Sequence, residues 1–206
     1  FGISLLVNTT FHIQQRCNQF EKMIAKSETY SIELIRDENY SENSTDNLTS
    51  YEKVHFMESE YIFPTKIGIK VSENGKIISS AIVGSIGGGT GIHQNSQIIE
   101  KERIIVCCSD SIFCLSIPNL DLIWRTQADQ ASCFEIFKIN ESYIIHGEME
   151  ISRLNLNGGI IWQKSGADIF TTEKGTDDFK ITESYIIATD WENRTYKFDF
   201  NGILIE

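Results

Sequence analysis

The sequence predicts a mainly β fold, a propeller-like array of about four β-meander repeats behind an N-terminal extension containing one helix. Three observations carry this. A unit of two β-branched runs, a polar turn and an Asn-containing corner occurs four times between residues 61 and 206. Its corner residues Asn74, Asn119, Asn157 and Asn201 stand 45, 38 and 44 positions apart, and a period near 40 with several strands per unit is that of blade or array architectures. Within the copies, Phe113, Leu115 and Ile117, or Ile151, Leu154 and Leu156, place apolar side chains on one face of a pleated strand. One such unit cannot bury both faces, so neighbours must stack.

The extension, residues 1–60, comes first. Residues 3–7 and 30–35 read as strands, rich in β-branched and other apolar residues. Between them Phe11, Ile13, Cys17, Phe20 and Ile24 recur at spacings near those of an amphipathic stripe, which predicts a helix over residues 10–27 packed on the β domain. The run DENYSENSTDNLTS, residues 37–50, has no aliphatic residue except Leu48 and reads as a mobile surface loop.

The repeat domain, residues 61–206, follows. Its first copy, YIFPTKIGIKVSENGKII, is the most degenerate. The second, IIVCCSDSIFCLSIPNLDLIW, passes from an apolar strand through the turn Ser109-Asp110 to an alternating strand and ends at Trp124. The third, YIIHGEMEISRLNLNGGIIW, ends at Trp162, and the fourth, YIIATDWENRTYKFDFNGILIE, keeps the same order. Asn-Gly pairs supply the positive backbone angles of tight hairpins. Trp124 and Trp162 bring a large apolar area and one indole donor, suited to a wedge between adjacent sheets.

This order of apolar strand, Ser-Asp turn, strand, corner and Trp resembles the blades of PQQ-like β-propellers over about 70% of the chain. Copy one has Ser79 and copy four Glu206 where the closing Trp would stand, and the second corner has no Gly. The expected architecture is therefore a small four- or five-bladed propeller, an open array, or part of a larger one. The resemblance also draws attention to Cys107-Cys108, because some quinoprotein dehydrogenases carry an adjacent-cysteine disulfide near their cofactor. Adjacent cysteines bridge only through a strained ring, and no enclosed cofactor chamber is evident, so no cofactor is expected.

Charge narrows the partners. Twenty-nine acidic against 18 basic residues give a net charge of −11. Phosphate backbones are bound by Lys and Arg, so nucleic acid and anionic membrane surfaces are poor partners, while a basic protein is compatible. No apolar run is long enough to cross a bilayer. Cys17, Cys107, Cys108, Cys114 and Cys133 lack the spacing of a zinc site, and buried free thiols in a reducing, cytoplasmic setting are the expectation.

Candidate functional residues are few. The stretch GSIGGGTGIH, residues 84–93, could gather backbone amides around an anion at Gly88 and Gly89, but no Lys follows and the next element, residues 96–99, reads as a strand. An inter-blade connector is the expectation, with His93 at its end as a proton carrier or ligand. Lys66, Asp110, Glu148 and Asp190 occupy equivalent turns and would share one rim, although Asp in turns is often held there by local backbone bonds. Trp191, beside Asp190, suits an interface anchor. His146, two residues before Glu148, shares a strand face with it and could share a proton.

These readings point to a non-enzymatic interaction module holding a basic protein on an acidic rim, as an inhibitor or immunity-type protein would. Two alternatives stand beside it. One is a hydrolase or lyase using His93 or His146 with Glu148 or Asp190. The other is part of a larger propeller sensor.

Overall fold

β-Branched runs punctuated by turn residues become sixteen strands in four sheets among the described residues. The computed structural model describes residues 22–27, 29–57, 59, 63–175 and 178–205. The expected strand at residues 3–7 and most of the expected helix lie outside these. Where that helix reaches the described residues it is corrected: Lys22–Lys26 form β1, an antiparallel partner of β2, Ser31–Arg36. The exposed–intermediate alternation of β1 has period two, so backbone pairing to β2 prevails over a helical stripe that ends in the short run KMIAK.

The first sheet adds β3 (Lys53–Phe56), β4 (Thr65–Glu73) and β5 (Lys76–Ser85) in the order β1-β2-β4-β5-β3. β1, β2, β4 and β5 form an antiparallel meander, and β3 lies parallel to β5 on its outer side. Strands on both sides of residue 60 thus share one sheet. The second sheet is the meander β6 (Gln97–Ile99), β7 (Arg103–Cys108), β8 (Ser111–Ser116) and β9 (Leu122–Gln127). The third is β10 (Cys133–Ile139), β11 (Ser142–Gly147), β12 (Glu150–Asn155) and β13 (Ile160–Ser165). The fourth holds β14 (Phe179–Ile181), β15 (Ile186–Thr189) and β16 (Thr195–Phe198), with Leu204 bridged to Phe198 where a fourth strand would run. This is the expected mainly β, propeller-type array.

Successive sheets pack through three apolar cores. Ile67, Ile69 and Val83 of the first sheet meet Ile104, Val106 and Phe113 of the second. Ile105, Cys107 and Cys114 on the second sheet's other face meet Ile136, Tyr143 and Ile145 of the third. Ile144 and Ile151 then meet Phe170, Ile186, Ala188 and Phe198. A strand buried on both faces needs an unbroken apolar run, which explains IIVCC in β7. Among the described residues no apolar cluster joins the fourth sheet to the first.

Corners lock these contacts. Gly158, at φ +81°, brings the third corner onto the second sheet, where a Cβ would lie 2.6 Å from the Trp124 ring, and Thr126 Oγ1 donates to Gly158 O at 2.6 Å. Gly202, at φ +78°, sits on Trp162 in the same way. Trp162 Nε1 and Arg153 Nη1 both donate to Phe200 O, at 3.0 and 2.5 Å. The second corner lacks Gly, so Leu120 adopts φ +59°. It docks on the first sheet, which has no Trp: Ser79 donates to Pro118 O, Lys53 Nζ to Asn119 O at 2.6 Å, and His55 Nε2 to Leu120 O at 2.9 Å. β3 thus supplies, from an insertion between β2 and β4, contacts that Trp124 and Trp162 supply elsewhere.

The same insertion covers the outer face of the first sheet. Tyr51 lies over Gly68, leaving no room for a Cβ, and Phe56 and Phe63 lie over Gly84. Tyr40, inside the loop expected to be a mobile surface segment, is buried at 7% exposure between Tyr51 and Phe56. Tyr51 Oη donates to Asp37 Oδ2 at 2.9 Å, and Lys66 Nζ to Glu38 O at 2.8 Å.

The two tryptophans differ in one bond, because Trp124 Nε1 is buried without a partner among the described residues. Trp162→Phe removes a hydrogen bond and leaves the Phe200 carbonyl one donor short, so it should lower stability by about 1 kcal/mol more than Trp124→Phe. Urea denaturation of the two variants checks this.

Candidate functional site

Hairpin turns after β7, β11 and β15 and the connectors between sheets meet on one rim, laced by backbone hydrogen bonds. Asp110 N donates to Ile86 O at 3.3 Å, Cys133 N to Ser109 O at 2.6 Å and Gly88 N to Ala131 O at 2.9 Å. Glu148 N donates to Ser132 O at 2.7 Å, Phe170 N to Glu148 O at 2.6 Å and Trp191 N to Ile169 O at 2.9 Å. Asp110, Glu148, Asp190, Trp191 and Gly88 are therefore brought to one rim.

The carboxylates of that rim turn inward. Asp110 accepts the Ser85 and Ser111 hydroxyls at 2.6 and 2.8 Å, and is buried. Asp190 is fully buried, accepting Arg194 N at 2.8 Å, Arg194 Nη1 at 3.2 Å and Tyr196 Oη at 2.9 Å. Both hold their own turns, as Asp does when its side chain bonds nearby backbone and hydroxyl donors. Lys66, also buried, caps the loop at Glu38.

Glu148 is different. It is buried to 8% exposure, and among the described residues no ion pair reaches it. Burial pushes its carboxyl above the ordinary range, and the adjacent Ser132 hydroxyl opposes that shift without forming a bond of ordinary geometry. Around it the rim presents exposed Met149 and Gly87 and half-buried Trp191.

The histidines do not meet these acids. His146 is fully buried, with Nδ1 2.9 Å from Glu135 Oε2 and Nε2 2.8 Å from Phe170 O. Its ring stacks on Phe179 at 4.4 Å and 8°, tying the third sheet to the fourth. Phe170 O only accepts, so a hydrogen on Nε2 satisfies that contact, and Nδ1 faces the Glu135 carboxyl. Glu135 also accepts Asn95 Nδ2 at 3.1 Å, so this chain runs back towards the glycine-rich connector. The sequence reading missed Glu135, which lies across the β10–β11 pair and beyond a bulge at Cys133/Glu135. His93 is half-buried, accepts Asn95 N on Nδ1 at 3.3 Å, and holds Ser96 through its backbone. Gly84 and Ser85 end β5, and residues 86–93 run as the expected connector, with Gly88 bonded to the third sheet's entry and Thr90 Oγ1 donating to Cys133 O at 3.1 Å.

The described cysteines are buried free thiols; Cys17 lies outside the described residues. Cys107 and Cys108 face opposite cores, so they do not form the cofactor-side disulfide of the quinoprotein resemblance. Among the described residues no group of three or more His, Cys, Asp or Glu could hold a metal ion, and no helix is long and apolar enough to cross a membrane.

No family model and no curated protein matches the chain. Among solved structures it is similar to BamB from Moraxella catarrhalis, at 15% identity over 89% of this chain and 59% of that one, with a TM-score of 0.45. The computationally designed Ika8 protein is 10% identical over 89% of this chain and 59% of its own, with a TM-score of 0.49. The WD40 domain of Neurospora crassa Pan2 is 14% identical over 54% of this chain and 36% of its own, with a TM-score of 0.42. The propeller-type assignment rests on the sheet order and corner docking described above.

Asp129, which no sequence signal marked, fastens this rim. Its Oδ1 accepts Ala131 N and Ser132 N at 2.6 and 2.9 Å, and its Oδ2 accepts Met149 N and Glu150 N at 2.9 and 2.8 Å. Burial outweighs these four amides and raises its carboxyl to about 6. The unfolded chain releases this proton near 3.8, so between pH 4 and 6 the folded state binds more protons and stability falls as pH rises. Asp129→Asn leaves two amides without an acceptor and should cost about 1–3 kcal/mol at pH 7. Because the variant lacks the titration, its deficit relative to wild type should be larger at pH 4 than at pH 7, as read by urea denaturation at both.

Proposed function

We propose that the chain is a protein-interaction module that receives its partner on the rim carrying Met149, Glu148 and Trp191. The observation that supports this best is the contrast between those residues and their rim neighbours. Asp110, Asp190 and Asp129 are consumed in holding turns, whereas Met149 is exposed, Trp191 half-exposed, and Glu148 buried without a counter-charge among the described residues. Rigid turns presenting an aromatic and a methionine beside one acid suit a protein contact, since such side chains dominate interface energetics. The net charge of −11 favours encounter with a basic partner, as an inhibitor or immunity-type role requires. PQQ-like repeats are the finer reading of the fold, supported by Trp124 and Trp162 standing where corners of the following sheets dock.

The test is affinity capture from the native cell extract, followed by measurement of the retained protein's Kd with purified chain. Trp191→Ala combined with Met149→Ser should weaken that complex at least tenfold while leaving the fold intact by circular dichroism. An unchanged Kd in the folded double variant would overturn the assignment of this rim.

A further inference from the structure

We propose that Glu148 and the Ser132 hydroxyl, roofed by Gly88, form a subsite for a primary ammonium, the side chain of a lysine presented by the protein partner. The inference rests on the reading of the rim as the partner-binding surface. Three observations meet here. The Glu148 carboxylate is nearly buried, and among the described residues no ion pair reaches it. A buried carboxylate without a counter-charge costs several kcal/mol unless it is protonated or finds a cation, and such a group is a candidate for a functional site. Ser132 Oγ is fully buried, makes no hydrogen bond of ordinary geometry among the described residues, and stands against that carboxyl.

Gly88 is the third. A Cβ there would collide with Ser132 Oγ and come within 3.6 Å of Glu148 Oε2, so any other residue would fill the approach to both oxygens. Gly87 and Gly89 flank it, and Gly87 is exposed. The cover over the acid is therefore bare backbone. The donor set selects the ligand. One carboxylate and one hydroxyl offer acceptors from two directions, which a compact ammonium with three N–H donors satisfies. A guanidinium pairs best with both oxygens of a carboxylate in one plane, and the Ser132 hydroxyl standing against this carboxyl takes part of that edge. Met149, the next residue in the chain, is exposed and offers apolar surface of the kind that the methylenes of a lysine cover.

The test follows Glu148 directly by carboxyl carbon NMR, titrating pH in the presence of hexalysine, hexaarginine or methylammonium at equal amine or guanidinium concentration. Hexalysine is expected to lower the Glu148 midpoint by one unit or more, hexaarginine and methylammonium by much less. Glu148→Gln should weaken hexalysine at least tenfold and Ser132→Ala about threefold, while Glu192→Gln on the exposed rim changes nothing. An unmoved Glu148 midpoint, equal shifts with hexaarginine, or unchanged affinity in Glu148→Gln would overturn the subsite. A shift from methylammonium equal to that from hexalysine would make the ligand a free amine and overturn the partner lysine. Loss of the captured partner in the Trp191 and Met149 double variant, with Glu148→Gln binding it normally, removes the subsite alone. The rim reading itself fails only if the double variant binds unchanged.

Discussion

The second, third and fourth corners of this chain each rest on the sheet before them, and that contact sets the rest of the architecture. Gly158 against Trp124 and Gly202 against Trp162 fix the distance and angle between neighbouring sheets, because a ring face accepts backbone closely only where no Cβ intervenes. With the corners placed, the three cores fall between consecutive sheets, and the connectors are carried to the opposite rim. There they lace the hairpin turns through Ser132, Glu148 and Ile169. The rim's rigidity is therefore a consequence of docking at the far end of each sheet.

The first sheet shows the same constraint met by other means. Ser79 stands where a Trp would receive the next corner, and a serine cannot fill that volume. The insertion between β2 and β4 compensates by laying β3 beside β5, so that Lys53 and His55 take the carbonyls of Asn119 and Leu120. Its aromatic residues close the sheet's outer face over Gly68 and Gly84. The cost of an exposed apolar face at the start of a stacked array is thereby removed.

The repeat was legible in the sequence because its spacing, Asn corners and Trp residues are local signals, and the sheets follow it closely. Equivalent turns were legible too, since Asp110, Glu148 and Asp190 do share a rim. Side-chain direction was not, because Ser85 and Ser111, or Arg194 and Tyr196, draw the aspartates inward and only three-dimensional proximity reveals them. Asp129 carries no motif at all, and its four amide contacts come from two segments about 20 residues apart. His146 was visible as a candidate, but its acid proved to be Glu135, because a bulge shifts the register across the β10–β11 pair. β3 escaped notice because four residues, KVHF, are too short for periodicity to speak.

The direction of docking gives the array a temporal order. The second, third and fourth corners each land on a strand that precedes them in the chain, and β3, the one added strand, also comes from upstream of the strand it pairs with. During synthesis each emerging unit finds its seat already built. Assembly of the described sheets can then run from the first to the fourth as a zipper of short-range steps.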